Sequence, residues 1–149
     1  MRDPQTRAAV LSVAQSWLDT PYRHQSSVKH FGTDCLGLIR GVWCELYGQE
    51  PETPPAYSPD WAEETGEETL LNAAHRWLKP VDKPQPGDAL LFRMASHAPC
   101  KHIGILAAPD RILHAYWGKA VVMSYFAPFW QRRHVASFAF PPLTGADHG

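Results

Sequence analysis

Apolar positions recur at helical spacing along the first half of the chain and in short or alternating runs along the second. In residues 8–18, Val10, Val13, Ala14, Trp17 and Leu18 fall on one face, which predicts a helix that Pro21 ends. Residues 20–33 (TPYRHQSSVKHFGT) are rich in polar groups and read as a loop closed by Gly32. Residues 34–48 (DCLGLIRGVWCELYG) carry the strongest stripe: Leu38, Ile39, Val42, Trp43 and Leu46. Thr33 or Asp34 can cap that helix and Gly48 can stop it, so Cys35 falls in its first turn. A Pro- and Glu-rich surface loop follows over residues 50–66. A third helix is predicted over about residues 67–78, with Leu70, Leu71, Ala74, Trp77 and Leu78 inward. The pattern then changes. QPGDALLFR, HIGILAA, RILHAY, AVVMSY and HVASFAF are short apolar or alternating runs between turn residues, which predicts four or five antiparallel strands. Helices first and strands second imply an α+β fold, with N-terminal helices packed on one face of an antiparallel sheet of four to six strands.

Composition narrows the class. The chain has 149 residues, 44% of them hydrophobic and 19% charged, enough for one domain with its own core. We assign that domain to residues 1–143 and a frayed tail to residues 144–149. Fourteen Lys+Arg against fifteen Asp+Glu give a formal net charge of −1. That balance, without a basic cluster, argues against nucleic acid and against an anionic membrane surface as partners. No apolar run approaches the roughly 20 residues that span a bilayer. The first 17 residues hold no continuous apolar stretch, so the expectation is a protein made in the cytoplasm without a secretory signal. Three cysteines, Cys35, Cys44 and Cys100, are too few for a disulfide framework.

Cys35 is the first candidate for chemistry. A thiol in the first turn of a helix meets the positive end of the macrodipole and unpaired N–H groups, which lower its pKa and can hold an oxyanion. The plainer reading is a small buried hydrophobe. Cys44 lies on the same helix, roughly 13 Å further along the axis, too far for a disulfide with Cys35. The second signal is a pair of histidines. A three-residue turn at 108–110 pairs Ala107 with Arg111, Gly104 with His114 and His102 with Tyr116. His102 and His114 then share a face as diagonal neighbours, roughly 7 Å apart. A two- or four-residue turn puts them on opposite faces, barring a bulge. Such a pair can act as a base and its orienting partner, and each ring can equally be a satisfied core-edge residue. Converging, Cys35, Cys100, His102 and His114 could hold zinc, but their spacing lacks C-x₂-C or H-E-x-x-H character. We therefore expect no metal and no cofactor. His24, His30, His75, His97, His134 and His148 read as solvated, and Arg132-Arg133-His134 as a surface turn. Tyr22 can be an aromatic anchor or can lend its hydroxyl to a site.

Four motifs in order resemble a known family. Pro21-Tyr22, Asp34-Cys35-Leu36-Gly37-Leu38, His102-Ile103-Gly104-Ile105 and Ile112-Leu113-His114-Ala115 resemble the signature of the NlpC-type cell-wall peptidases, papain-like cysteine peptidases. Pro86-Gly87-Asp88 before a strand resembles the family's P-G-D-L-x-F element, and the likeness runs from about residue 8 to 140. It implies the papain-like NlpC-type fold. It also implies Cys35 as nucleophile, His102 as general base and then acid, and His114 as its orienting residue. Tyr22 would support the oxyanion or substrate, and Asp34 would contact the substrate's amine or cap the helix. The implied reaction is hydrolysis of an amide in peptidoglycan stem peptides, after D-γ-glutamate. Leu36 stands where the family commonly has Ser, which bears on bond specificity. The wording DCLGLIRGVW resembles the phage-type branch. It implies incorporation in a virion or tail-like particle, with tail, baseplate or hub proteins as partners and action at the periplasm and cell wall. The alternative is a tail-tip structural subunit that keeps the fold with little activity, its partner seated on Trp61, Trp117 and Trp130.

Overall fold

A computed structural model describes residues 4–49 and 68–143. The Pro- and Glu-rich loop with Trp61, the tail and His148 lie outside the described residues.

Helix α1 spans Pro4–Gln15, earlier than its apolar stripe suggested, because Pro4 suits a first helical turn. Val10 and Ala14 are buried, and Trp17 stays buried beyond the helix end. The segment read as a loop contains a two-residue hairpin, β1 (Ser27–Val28) paired with β2 (Gly32–Thr33). Helix α2 spans Cys35–Tyr47, capped by Asp34 at one end and closed by Gly48 in the left-handed region at the other. Helix α3 spans Thr69–Trp77 and buries Leu70 and Ala74. Trp77, expected inward, is 37% exposed and meets Trp43 edge-on at 6.0 Å. Among the described residues, no helix is long and apolar enough to cross a membrane.

Six strands form the sheet: β3 (Lys79–Val81), β4 (Ala89–Phe92), β5 (His102–Ala108), β6 (Arg111–Ala115), β7 (Val121–Tyr125) and β8 (His134–Ala139). They lie in the order β3-β8-β4-β5-β6-β7, every neighbouring pair antiparallel. The expected α+β architecture is therefore observed, with β3 as an edge strand the apolar pattern had not shown. A short helix α4 (Pro128–Gln131) links β7 to β8.

Alternation splits the sheet residues between two faces. Ala89, Leu91, Ile103, Ile105, Leu113 and Ala115 join the core with Leu38, Val42 and Leu70 of the helices. Leu90, Phe92, Leu106 and Ile112 form a second cluster under Trp130 of α4.

The turn between β5 and β6 differs from expectation. Ala108 pairs with Arg111, so only Pro109 and Asp110 form the turn. Alone, that shorter turn would send the two histidines to opposite faces. A bulge between Leu106 and Ala108 absorbs one residue and restores the pairs Leu106–Ile112 and Ile105–Leu113. His102 and His114 thereby share the face away from α1, α2 and α3.

Candidate active site

Cys35 owes its place to the cap beside it. Asp34 Oδ1 accepts from the Gly37 N–H at 2.7 Å and Oδ2 from the Gln25 N–H at 2.7 Å. One carboxylate thus fixes the helix start to the preceding loop. Only glycine fits at 37: a Cβ there would lie 1.9 Å from the Ser26 carbonyl oxygen. The Cys35 thiol, half-buried, donates to the Lys101 carbonyl oxygen at 3.5 Å, one residue before His102.

On the sheet, His102 Nε2 and His114 Nδ1 are 2.8 Å apart, and His114 Nε2 lies 2.8 Å from Ser124 Oγ. Gly104 makes the first contact possible: a Cβ there would sit 3.0 Å from His114 Cβ. Both rings are buried, His102 9% and His114 0% exposed. Trp130 stacks on His102 at 5.3 Å and meets His114 edge-on at 5.0 Å, and Tyr116 stacks on His114 at 5.4 Å. A pocket of about 350 Å³ is lined by Tyr22, Cys35, Lys101, His102, Tyr116 and Trp130, among others.

The electrostatics correct one expectation. Burial pushes the Cys35 thiol up to about 12, and the Asp34 charge beside it adds to the rise. The N–H groups of Ile103, Leu36 and Cys35 itself pull the other way and lose. The predicted depression at the helix start is therefore overturned, chiefly by burial and then by the carboxylate that caps the helix. Burial, then the neighbouring His114, pushes His102 down to about 3, and burial takes His114 to about 4. These shifts all favour the uncharged forms, a thiol and two imidazoles. Tyr22 is held well above the usual phenol range by burial and by the charges of Cys35 and Asp34.

The network admits two proton arrangements. With the proton on Nε2 of both rings, the Ser124 hydroxyl accepts and Nδ1 of His102 is left basic. With Ser124 donating instead, Nδ1 of His114 donates to Nε2 of His102.

The structure thus brings Cys35, His102, Tyr22 and Asp34 to one pocket, with His114 behind His102. Cys100 sits apart in the helix-side core, its N–H donating to Glu68 at 2.9 Å, and Cys44 is exposed. Among the described residues, no group of three or more His, Cys, Asp or Glu is placed to hold a metal ion. Two site residues escaped the sequence reading. Ser124 shares the alternation of β7 with His114's face, a signal that the strand register supplies. Trp130, expected on the surface, is 6% exposed and roofs the histidines. His134, expected solvated, is half-buried against Phe92 and Phe126, with Ser137 Oγ 2.8 Å from its Nε2. His24 is exposed but lines the pocket rim.

Several known proteins resemble this chain. It is 26% identical over 144 residues to the gamma-DL-glutamyl hydrolase of Bacillus subtilis (strain 168), covering 95% of this chain but 32% of that one. It therefore spans about a third of that relative's length. It is 27% identical over 128 residues to the probable endopeptidase NlpC of Escherichia coli (strain K12), covering 81% and 73%. The NlpC/p60 domain of the peptidoglycan hydrolase SagA superposes with a TM-score of 0.61 at 20% identity, over 90% of this chain and 98% of that one. NlpC2 from Trichomonas vaginalis gives 0.63 at 16% identity, over 94% and 48%. These two likenesses speak for the fold. Residues 19–138 match the NlpC/P60 family, a family of cysteine peptidases, and the chain belongs to it.

Proposed function

We propose that this protein hydrolyses an amide bond in peptidoglycan stem peptides, the bond after D-γ-glutamate, by a Cys35–His102–His114 mechanism. The observation that carries the reading is the 2.8 Å His102–His114 contact, with His102 opening onto the same pocket as the Cys35 thiol. The glutamyl-bond assignment draws on the name of the Bacillus relative and on the motif resemblance.

In the proposed sequence the thiol leaves the Lys101 carbonyl and gives its proton to Nδ1 of His102 as sulfur attacks the substrate carbonyl. The oxyanion meets N–H groups at the start of α2, with the Tyr22 hydroxyl beside them. The His102 imidazolium then protonates the leaving amine, which departs and leaves a thioester on Cys35. Water attacks the thioester, His102 takes its proton, and the acid product and free thiol are released. His114 keeps Nδ1 of His102 aimed at sulfur. Asp34 places negative charge at the pocket, suited to a substrate amine while it caps α2. Leu36 gives the pocket an apolar wall where a serine would offer a hydroxyl.

The DCLGLIRGVW wording supports carriage of this enzyme in a phage or tail-derived particle, docked on tail or baseplate proteins and acting at the cell wall. The structural-subunit alternative loses an anchor, since Trp130 is buried over the histidines; Trp117 remains 71% exposed. The test is mass spectrometry of peptidoglycan fragments after incubation with wild type and with Cys35→Ala. New fragments ending in D-γ-glutamate with wild type alone support the reading. Identical fragments from both proteins sink it.

A further inference from the structure

A second hollow opens beside the catalytic pocket. Its volume is about 500 Å³, and Met94 lines both. Arg93, Ser96, Arg132, Arg133 and His134 also line it, and among the described residues no Asp or Glu does. Three arginines line one hollow in a chain whose formal net charge is −1.

Two of the three are held in place. Arg133 donates from one terminal nitrogen to the Phe129 carbonyl at 2.8 Å, and its guanidinium lies 3.7 Å from the centre of the Phe129 ring. Arg93 donates from Nε to the Ala98 carbonyl at 2.5 Å and pairs with Glu68 at 2.6 Å. The backbone joins them, the Arg93 N–H donating to the Arg133 carbonyl at 2.8 Å. Each guanidinium carries five donors, so both keep N–H groups beyond these contacts. Arg132, exposed at the end of α4, adds its charge to that of Arg133, while Glu68 balances that of Arg93. Fixed, part-buried guanidinium forks suit a planar carboxylate, and their order is established before the ligand arrives.

We infer that this arginine-lined hollow is a subsite for a free carboxylate of the stem peptide lying in the adjacent catalytic pocket. The inference rests on the stem-peptide reading above. A glutamate linked through its γ-carboxyl keeps its α-carboxylate free, so a substrate of that class brings negative charge close to the reacting bond. The hollow would then select acidic stems over amidated ones.

Two stem peptides separate the possibilities, one with its carboxylates free and one with them converted to carboxamides. Binding is measured first, by calorimetry on Cys35→Ala, where no turnover interferes. The acidic peptide should bind roughly tenfold more tightly than the amide, the scale of a hydrogen bond to a charged group. Adding Arg132→Glu should erase that preference. Arg132 is exposed, so its reversal leaves the core packing alone. Turnover is measured second. Arg132→Glu and Arg133→Lys should raise KM for the acidic peptide with kcat held, and leave the amidated peptide unchanged. A preference that survives Arg132→Glu, or no preference in Cys35→Ala, overturns the subsite. If the wild type turns over neither peptide while the charge preference holds, the hydrolase reading fails and the subsite stands.

Discussion

The two faces of the six-stranded sheet are filled by different chemistry. Toward α1, α2 and α3 the strands present Leu91, Ile103, Ile105 and Leu113, in one continuous apolar core with Val10, Leu38 and Val42. Toward α4 they present a smaller apolar cluster and, within it, two buried imidazoles. Burying a polar ring is tolerable when it is uncharged and hydrogen-bonded. Both conditions hold here: the rings bond to each other and to Ser124, and burial keeps them neutral. The helix face supplies stability, and that leaves the other face free to hold a polar chain.

Mutating one residue on each face should give opposite outcomes. His102→Ala should lower kcat by roughly 10²–10⁴-fold, the range for removing a general acid–base. Its melting temperature should fall less than that of Leu113→Ala, although His114 Nδ1 loses its partner. Leu113→Ala, on the opposite face of the neighbouring strand, should cost about 2–5 kcal/mol in denaturant unfolding. The folded fraction should keep its turnover. If His102→Ala unfolds the protein while Leu113→Ala silences a stable one, the division of labour is wrong.

Acid should act on the histidine face. Both rings have folded-state pKa values below the ordinary 6.5, about 3 for His102 and about 4 for His114. The unfolded chain therefore binds protons first as pH falls. Stability should be fully present above about 6.5 and decline as pH drops from there toward 4 and 3. Each ring contributes about 1.4 kcal/mol for every tenfold by which folding weakens its hold on a proton. His102→Gln should remove a share of that slope. The same burial moves the limbs of the rate profile outward. kcat/KM should be nearly level between about pH 6 and 9, where a thiolate–imidazolium pair would titrate. An acid limb centred near the ordinary histidine value would show that burial does not hold His102 down, and an alkaline limb below about 9 would show that the resting pair is charged.

A smaller effect is expected at the far end of the polar chain. Ser124→Ala leaves the outer nitrogen of His114 without its hydroxyl partner. The expected loss is roughly tenfold in kcat, about one hydrogen bond to a charged relay. Ser124→Thr should restore most of the rate, and a histidine-labelled NMR spectrum should show the His114 signals shifted in the alanine variant only. An unchanged rate in Ser124→Ala would confine the chain to the two histidines.

Much of this was legible in the sequence, for physical reasons. The helix at 35–47 announced itself through a cap, a stripe and a terminal glycine, all local signals. The histidine pair was legible because alternation places residues by parity, and a glycine faced His114. The actual turn was one residue shorter than expected, and the bulge at its edge cancelled the error. A bulge leaves little trace in one sequence, since it depends on how the neighbouring strand twists. The thiol's electrostatics were misread because burial is a tertiary fact that outweighs a helix dipole, while the adjacent Asp34 was weighed as a cap and not as a charge. Trp130 was misplaced for the same reason: a short helix after Pro128 gives no periodicity from which to infer its inner face.

The mechanism stands on Cys35 carrying the acyl group while His102 moves the protons. Intact-protein mass spectrometry can catch that acyl group, on samples mixed with a stem peptide and quenched in acid within one turnover. The mechanism predicts an added mass equal to the acyl fragment, mapped to Cys35, with no such mass and no product in Cys35→Ala. Product formed at the wild-type rate by Cys35→Ala, with no adduct on either protein, would contradict it.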